Sequence, residues 1–338
     1  MSIICSKLSE VEMNVKVVVA GAGGFIGGWL AHELISQGHE VLCADIKPFS
    51  EWHQLHEAAV NVVSDLSLAS ECRKITANAD HVYNLAADMG GMGFIENHKA
   101  ECMLSVLINT HLLMASRDSG VKKFFFASSA CVYNASKQER NDVDGLKEDD
   151  AYPAMPEDGY GWEKLFSERM CRHFYEDFGL ETRVARYHNI YGPRGTWDGG
   201  REKAPAALSR KIATAKLRGS HEIEIWGDGE QARSFTYIHD CIEGTLRLMN
   251  SNVREPVNIG SDQMVTINEL VSMLEGIAGV ELKRRFDLGA PKGVRGRNSD
   301  NSRVKELLGW SPKIDLHQGL ADTYSWIEKE VALNLGRL

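Results

Sequence analysis

Four side chains in the middle of the chain have types and spacings suited to moving a proton on or off a sugar hydroxyl. Tyr160 and Lys164 are four residues apart, so on a helix they lie on one face. A free phenol has a pKa of about 10, too high for a base at neutral pH, and an adjacent ammonium stabilises the phenolate. Ser128 and Ser129 end a predicted strand about 30 residues earlier and offer a hydroxyl to orient the same oxygen. Tyr-x-x-x-Lys pairs also occur by chance in structural helices, so the serines add weight to the catalytic interpretation.

A glycine-rich turn near the amino terminus has the spacing of a dinucleotide site. Gly21, Gly24 and Gly27 follow the β-branched run of residues 15–20 and open a predicted helix. Such glycines permit a tight turn, approach of the backbone to a pyrophosphate, and close packing of helix on strand. Asp45 ends the next predicted strand, where a carboxylate binds ribose hydroxyls and repels a 2′-phosphate. The sequence therefore predicts NAD rather than NADP.

Three further residues are assigned to the cofactor site. Phe25 and Ile26 lie between the last two glycines of the turn. Asp65 follows the third short strand and is a candidate for adenine recognition. A helix cap is the equally weighted alternative for this carboxylate.

Strand and helix patterns alternate through the first half of the chain. Short apolar runs at 15–20, 40–44, 81–85 and 123–127 predict strands buried on both faces of a sheet. Residues 96–119 and 160–178 predict long helices, and the second has apolar residues at three- and four-residue steps: Trp162, Leu165, Phe166, Met170, Phe174 and Phe178. This alternation predicts an α/β fold, with a Rossmann-type, doubly wound parallel sheet.

The pattern loosens from about Arg186, where Gly, Pro and charged residues cluster. Helices are predicted around 267–277 and 319–331, in a smaller C-terminal α/β lobe that binds the substrate. We therefore predict a cofactor domain at 1–185 and a substrate lobe at 186–338. The boundary is soft, because residues 257–261 could return a strand to the first domain, so that about 230–262 would belong to it.

Composition narrows the function classes. The 338 residues include 38 Lys and Arg against 47 Asp and Glu, a net charge of −9, which disfavours nucleic acid as a partner. Apolar stretches reach about six residues, far short of a membrane span of roughly 20. Seven cysteines without a C-x-x-C pair indicate neither a disulfide framework nor a zinc site, and predict a reduced, cytoplasmic protein. Residues 1–14 lack the pattern of a secretory signal. No metal is expected, since no cluster of ligands surrounds His188 or His239.

Motifs between about residues 15 and 330 resemble the extended short-chain dehydrogenase/reductase family of nucleotide-sugar enzymes. They are GAGGFIG (21–27), Asp45, NLAA (84–87), SSACVY (128–133), YGWEK (160–164), RYHNIYGP (186–193) and RSFTYIHD (233–240). More specific segments resemble the members of that family that invert GDP-mannose at C3 and C5: AADMGGMGF (86–94), GPRGTWDGGREKAPAA (192–207), WGDGEQARSF (226–235) and GVRGRNSDN (293–301). The resemblance implies GDP-L-galactose as product, GDP-L-gulose as a side product, and a role in ascorbate biosynthesis.

The resemblance also implies a stepwise mechanism. Tyr160, supported by Lys164 and Ser129, would deprotonate the C4 hydroxyl while NAD accepts the C4 hydride. The resulting ketone acidifies the hydrogens on C3 and C5. Cys131 would act as the base on one face, because a nearby cation brings the pKa of a thiol towards neutrality. Lys203 would be the matching acid on the other face. Which of the two acts as base at each carbon stays open.

Further substrate contacts are carried over from the resemblance residue by residue. Gly90 would lie against the hexose, and Arg233 and Arg295 would clamp the diphosphate, because a guanidinium fork matches phosphate geometry. A surface ion pair is the alternative for each arginine. The full set of substrate residues is Gly90, Ser129, Cys131, Asn189, Glu202, Lys203, Ala204, Lys211, Gln231, Arg233 and Arg295.

Two other enzyme types and one non-enzyme remain as alternatives. UDP-hexose 4-epimerases generally carry Thr where this chain has Cys131, and dTDP-hexose 4,6-dehydratases carry an acidic pair near the serines. A non-catalytic NAD-sensing module would have little reason to keep the catalytic set together. The resemblance further implies a homodimer, joined as a four-helix seam by helices 96–119 and 160–178; the alternative is that one chain covers both faces.

Overall fold

The computed structural model describes residues 15–291 and 293–336, so the expectation about residues 1–14 lies outside the described residues. The strands are β1 (Lys16–Ala20), β2 (Glu40–Asp45), β3 (Val60–Val63), β4 (His81–Asn84), β5 (Lys123–Ser129), β6 (Glu181–Tyr187), β7 (Ile190–Tyr191), β8 (Glu222–Trp226), β9 (Ala232–Ser234), β10 (Thr236–Tyr237), β11 (Val257–Ile259), β12 (Met264–Thr266), β13 (Lys283–Asp287) and β14 (Gly296–Arg297). The α-helices are α1 (Phe25–Ser36), α2 (Ala69–Thr76), α3 (Met92–Ile95), α4 (Lys99–Ser119), α5 (Tyr160–Phe178), α6 (Ala204–Arg218), α7 (Ile238–Met249), α8 (Ile267–Ala278), α9 (Ser302–Leu308) and α10 (Leu316–Asn334).

A parallel sheet of seven strands forms the centre of the fold, in the order β11-β6-β5-β4-β1-β2-β3. Alternate residues of β1 face opposite cores: Val17 and Val19 pack on one side, Val18 and Ala20 on the other. Burial on both faces explains why the strands are continuous apolar runs. The chain moves from β1 to β2 on one side and to β4 on the other, so a crevice opens between the carboxyl ends of β1 and β4. The predicted α/β, Rossmann-type doubly wound sheet is confirmed.

The second half of the chain contributes both to this sheet and to a smaller lobe. β11 pairs with β6, with Asn258 opposite Arg186, and the boundary predicted at residue 185 falls inside β6. In the lobe, β13 pairs with β8, while β9 lies between β12 and β14. Helices α6, α8 and α10 pack on one another beside these strands. The division into two domains stays a prediction.

The helix predicted over residues 96–119 is wrong at its start. The structure has a short helix, α3, that ends at Ile95, and α4 begins only at Lys99. Two side chains bond to carbonyls of the preceding turn: Asn97 Nδ2 donates to Gly93 O (2.7 Å) and His98 Nδ1 to Phe94 O (2.9 Å). Such local side-chain bonds compete with helix continuation, and the backbone breaks at His98.

The apolar stripe predicted on α5 is only partly covered. Leu165 is buried, whereas Trp162, Phe166 and Phe178 are exposed. The adjacent helix α4 also carries exposed apolar side chains. We call this set the helix-pair face: Met103, Leu104, Leu107, Met114, Trp162, Phe166 and Phe178. No helix among the described residues has the length and apolar character needed to cross a membrane.

Candidate active site

The glycine turn after β1 is closed so tightly that side chains cannot replace its glycines. Gly21 has a φ of +85°, and a Cβ there would lie 2.8 Å from the backbone nitrogen of Ala86. A Cβ at Gly27 would lie 2.2 Å from the Gly21 carbonyl oxygen. Gly24, the N-cap of α1, adds no side chain to the helix end. The first N–H groups of α1 therefore face the crevice without a capping side chain, an arrangement that fits a pyrophosphate.

The acidic residues predicted for the cofactor take different positions. Asp45 is buried at the end of β2, and its Oδ1 accepts the Lys47 N–H at 3.0 Å. The Lys47 ammonium donates to Gly23 O (2.9 Å), which ties the turn to the strand end. A buried carboxylate beside the glycine turn fits the ribose of NAD. Asp65 accepts the Ser67 N–H (2.9 Å), so one of its oxygens braces a turn before α2.

The two remaining residues of the cofactor prediction pack on protein. The Phe25 ring lies against Gly195, where a Cβ would come within 2.8 Å of the ring. Ile26 is partly buried against the larger core. Both side chains therefore fix the start of α1 by packing on the protein.

Tyr160 and Lys164 lie together at the start of α5, as their spacing predicts. Both are buried, and the Lys164 ammonium is 5.5 Å from the centre of the Tyr160 ring. Burial raises the pKa of Tyr160 well above its ordinary value, and a hydrogen bond with Ser129 acts in the opposite direction. Gly161 brings this helix onto the previous strand end, because a Cβ there would lie 2.3 Å from Cys131 O.

Cys131 sits in a short turn directly after β5. The Ser129 hydroxyl accepts the Cys131 N–H (3.2 Å), and Cys131 O accepts the Glu157 N–H (3.0 Å). The thiol is buried. Burial, followed by the charge of the Glu157 carboxylate, raises its pKa to about 11, and the Arg297 guanidinium acts in the opposite direction.

Lys203 belongs to the same site although it is 72 positions from Cys131 in the chain. It is the N-cap of α6 and is partly buried. Burial of the ammonium lowers the pKa of Lys203, while the neighbouring Cys131 and Glu157 act to raise it. The structure therefore brings together the predicted pair, a thiol with a raised pKa and an amine with a lowered one.

Two loops meet beside Lys203. Gly91 N–H donates to Arg201 O (3.0 Å), and a Cβ at Gly91 would lie 2.5 Å from Glu202 O. Gly90 packs against Phe94, because a Cβ at Gly90 would lie 2.8 Å from the Cβ of Phe94. The Glu202 carboxylate accepts from Arg210 and from the Gly200 N–H, both at 2.7 Å, so it braces the Lys203 loop. Ala204 begins α6 and packs on the larger core.

Other predicted substrate residues are held by backbone carbonyls in the second lobe. Asn189 donates to Ser234 O, Lys211 to Glu224 O and Gln231 to Trp226 O, each at 2.9 Å. The Gln231 Oε1 is buried without a hydrogen-bond partner among the described residues. A ligand that binds these side chains either uses their remaining polar atoms or replaces one of these backbone carbonyls.

The two predicted phosphate clamps differ in environment. Arg233 is partly buried and donates to Ala232 O (2.8 Å), Arg295 O (3.2 Å) and Val294 O. Burial, followed by repulsion from Arg297, lowers the pKa of Arg233 to about 9. Arg295 is more exposed, and its Nη1 donates to both carboxylate oxygens of Asp228, at 2.8 and 2.9 Å. A phosphate at Arg295 would compete with the Asp228 carboxylate.

Sequence reasoning missed Arg297. This buried guanidinium lies 3.5 Å from Cys131 Sγ and 3.4 Å from Glu157 Oε2, and its Nε donates to Gln138 Oε1 at 2.6 Å. The motif GVRGRNSDN did attract attention to Arg295, two positions earlier. In a regular strand residues two positions apart share a face. β14 spans only Gly296–Arg297, so Arg295 lies outside it and strand alternation gives no signal for Arg297. The pairing with Cys131 spans 166 positions and has no local signal.

His188 and His239 both contact protein groups. His188 is fully buried, bonds to Asn258 Oδ1 at 2.8 Å, and burial lowers its pKa to about 3. His239 stacks edge-on against Trp29. Within residues 15–291 and 293–336 no group of three or more His, Cys, Asp or Glu is placed to hold a metal ion.

Comparisons with known proteins agree with this arrangement. Residues 17–260 match the model of the NAD-dependent epimerase/dehydratase family. The chain is 49% identical over 325 residues to GDP-mannose 3,5-epimerase 1 of Oryza sativa subsp. indica, covering 94% of this chain and 83% of that one.

Solved structures give the same result. UDP-glucose 4-epimerase of Thermotoga maritima, with UDP-glucose, matches with a TM-score of 0.84 and 27% identity over 94% of this chain and 99% of that one. UDP-glucuronic acid 4-epimerase of Bacillus cereus, with UDP-glucuronic acid and NAD, has a TM-score of 0.79 and 27% identity, covering 93% and 99%. The predictions of an epimerase and of NAD as its cofactor are confirmed. The chain belongs to the NAD-dependent epimerase/dehydratase family.

Proposed function

We propose that the protein inverts GDP-mannose at C3 and C5 to give GDP-L-galactose, with GDP-L-gulose as a side product. One observation carries the proposal: a buried thiol, Cys131, and a desolvated amine, Lys203, share a site with Tyr160 and Ser129. A 4-epimerase needs only the tyrosine and its serine. A pair of proton carriers beside them is what inversion at carbons next to a ketone requires. The similarity to the rice enzyme supports GDP-mannose as the substrate.

The first group of residues acts at C4. The glycine turn and Asp45 would hold NAD, whose nicotinamide accepts a hydride from C4 and later returns it. Tyr160 takes the proton of the C4 hydroxyl, and Ser129 holds that oxygen in place. Because burial raises the pKa of Tyr160, the phenolate needs the Lys164 ammonium beside it to form at neutral pH.

The second group acts at the carbons next to the C4 ketone. The ketone acidifies the hydrogens on C3 and C5, and each inversion needs one group to remove a proton and one to deliver a proton on the opposite face. Burial moves the pKa of Cys131 up and that of Lys203 down, so both shifts favour the neutral thiol and the neutral amine. A neutral thiol can deliver a proton and a neutral amine can accept one, and the two roles reverse once a proton has been transferred.

The substrate's diphosphate would bind in the second lobe. Arg233 and Arg295 offer guanidinium groups there, and Lys211 and Gln231 lie on neighbouring elements. Arg295 would leave Asp228 for a phosphate, whose oxygens also accept charge-assisted hydrogen bonds from a guanidinium. The choice of guanine follows from the similarity to the rice enzyme alone.

The test of this proposal is the fate of carbon-bound hydrogen. GDP-mannose incubated with the protein in deuterium oxide should acquire deuterium at C3 and C5, and the products should be GDP-L-galactose with some GDP-L-gulose, identified by proton NMR. Inversion at C4 without deuterium at either neighbouring carbon would assign the chain to the 4-epimerases. Loss of the C6 hydroxyl would assign it to the dehydratases.

A homodimer in a reducing compartment such as the cytoplasm completes the proposal. The described cysteines are free thiols, which suits that compartment: Cys43, Cys72, Cys102, Cys131, Cys171 and Cys241. The helix-pair face consists of exposed apolar side chains on two helices that pack on each other, and a second copy would cover it by forming a four-helix seam.

Replacing Phe166 by Glu should therefore convert the dimer to a monomer. Phe166 is 55% exposed on α5, and a carboxylate there would be desolvated by the partner copy, raising the dissociation constant by about 100-fold. Phe286→Glu is the matched control, because Phe286 is 43% exposed on β13 of the second lobe. Sedimentation velocity across a concentration series measures both variants. A dimeric Phe166→Glu, or a monomeric unchanged protein, would contradict this assignment.

A further inference from the structure

One arginine side chain joins the loop before α6 to the loop after β4. The Arg201 Nη1 donates to Asp88 Oδ1 at 2.6 Å and to the Met89 carbonyl oxygen at 3.4 Å. Its guanidinium carbon lies 3.7 Å from the centre of the Phe94 ring, within the range of a cation–π contact. The same ring stacks on the His98 imidazole, with the ring centres 4.2 Å and the planes 12° apart. The guanidinium therefore meets a ring that is already held in place.

The backbone of the same arginine binds the same loop. The Arg201 carbonyl oxygen accepts the Gly91 N–H at 3.0 Å, and a Cβ at Gly91 would lie 2.5 Å from the Glu202 carbonyl oxygen. A residue without a side chain is what lets the two backbones approach so closely. Lys203 comes next in the chain, as the N-cap of α6. Its amine is therefore carried two residues after a point where side chain and backbone are both anchored.

Other contacts of this loop stay within its own segment. The Glu202 carboxylate accepts from Arg210 on α6 and from the Gly200 N–H, both at 2.7 Å. Gly199 and Gly200 have φ angles of +88° and +84°, and a Cβ on either would meet no atom within 4 Å. The chain therefore reaches Arg201 through two glycines with open surroundings. The bonds of Glu202 shape the loop but do not tie it to the ends of β4 and β5.

We propose that Arg201 is a positioning residue that holds the Lys203 amine in place relative to the Cys131 thiol. Cys131 follows β5, whereas Lys203 belongs to the loop that Arg201 attaches to the first half of the chain. The inference rests on the proposed function, because inversion needs a proton removed on one face and a proton delivered on the other. Displacing one of the two groups by about 1 Å would slow such a step about 100-fold. An ion pair between exposed side chains contributes little to folding stability, so the contact acts on geometry.

The ratio of hydrogen exchange to inversion separates this role from a general loss of structure. Exchange at C3 or C5 needs only one of the two groups, because a group that removes a proton can return a deuteron on the same face. Inversion needs both groups, since the new proton arrives on the opposite face. Displacing the amine should therefore raise the deuterium content of recovered GDP-mannose relative to the amount of inverted product. A general loss of structure would slow both processes and leave their ratio unchanged.

Three single substitutions and one double variant measure the contact in deuterium oxide, with proton NMR of the separated sugars. Arg201→Gln removes the charge and should slow inversion about 100-fold while raising the exchange-to-inversion ratio at least about tenfold. Asp88→Asn should shift the ratio in the same direction by less, because the Phe94 contact remains. The double variant should match Arg201→Gln, since the two side chains act through one contact. Arg201→Lys keeps the charge but loses the planar fork, and should fall between Arg201→Gln and the unchanged protein.

Arg254→Gln is the matched control. Arg254 is 43% exposed, against 47% for Arg201. It pairs with Glu181 at 2.8 Å and lies 4.2 Å from the centre of the Tyr175 ring. These contacts are of the same kind but lie near the end of α5, whereas the site is at its start. Arg254→Gln should keep the rate of inversion and the ratio of the unchanged protein. A ratio in Arg201→Gln equal to that in Arg254→Gln would overturn the inference.

A chemical probe of the amine tests this inference apart from the proposed function. Reductive methylation with formaldehyde and a borohydride, read by mass spectrometry, reports how accessible Lys203 is. Labelling of Lys203 should be about fivefold faster in Arg201→Gln than in Arg254→Gln, while the buried Lys164 reports unfolding. Equal labelling of Lys203 in the two variants would overturn the inference, as would faster labelling of both lysines. Faster labelling of Lys203 alone, in a protein that incorporates no deuterium at C3 or C5, would support the attachment of the loop and remove the epimerase proposal.

Discussion

Cys131→Ala is expected to separate oxidation at C4 from proton exchange at C3 and C5. Tyr160, Lys164 and Ser129 remain in place in this variant, so the C4 hydride can still leave. The carbon acids have lost one of their two proton carriers, and deuterium entry should fall about 1000-fold. Because the ketone then has no onward path, the near-ultraviolet absorbance of the reduced cofactor should accumulate on mixing with GDP-mannose, and NMR should find the recovered sugar free of deuterium.

Cys102→Ala is the control for removing a buried sulfur. Cys102 lies in the same apolar cluster as Cys131 and Tyr160 but on α4, and the proposed mechanism gives it no role. Its replacement should leave deuterium entry close to that of the unchanged protein. If Cys131→Ala exchanged hydrogen at C3 and C5 as fast as Cys102→Ala does, the thiol would have no part in the chemistry.

The parts of this molecule that the sequence predicts well are those whose cause is local. The glycine turn, β1, β2 and α1 lie within 30 residues of one another, and a Cβ at Gly27 would collide with Gly21. The helical spacing of Tyr160 and Lys164 likewise needs no distant partner. The continuous apolar runs also predicted strands of the central sheet, since these strands are buried on both faces and must be apolar throughout.

The parts that the sequence predicts poorly depend on partners that meet only in the fold. Arg297 is 166 positions from Cys131, and an arginine in a polar segment looks like a surface residue until burial is known. The start of the helix predicted from residue 96 failed because Asn97 and His98 bond to carbonyls of the turn before them, a choice that helical periodicity does not encode.

The apolar stripe on α5 shows a third kind of limit. Its three- and four-residue spacing correctly indicates a helix with one apolar face. Whether that face meets the same chain or another copy is not written in the spacing, and in the structure Leu165 is covered while Phe166 is exposed. The prediction that Glu202 contacts the substrate has the same limit, because a motif does not tell which partner a side chain meets. In the structure its carboxylate accepts from Arg210 and from the Gly200 N–H.

Tyr160→Phe is expected to abolish both halves of the reaction together. The variant keeps the buried ring and the packing of α5 on Cys131, and loses only the oxygen that takes the C4 hydroxyl proton. Without that proton transfer no ketone forms, so C3 and C5 stay unacidified although Cys131 and Lys203 are intact. Hydride removal and deuterium entry should each fall about 1000-fold or more, while thermal unfolding stays close to that of the unchanged protein.

The pH dependence of the unchanged protein follows from the same residue. Burial raises the pKa of Tyr160, so the phenol predominates at neutral pH and the rate of hydride removal should rise with pH as the phenolate forms. Tyr160→Phe should lose this rise, whereas Tyr152→Phe, at a half-exposed tyrosine outside the site, should keep it. Stopped-flow absorbance of the reduced cofactor across pH provides the measurement. A Tyr160→Phe variant that still incorporated deuterium at C3 and C5 would place the proton acceptor elsewhere, and with it the order in which the site's two groups of residues act.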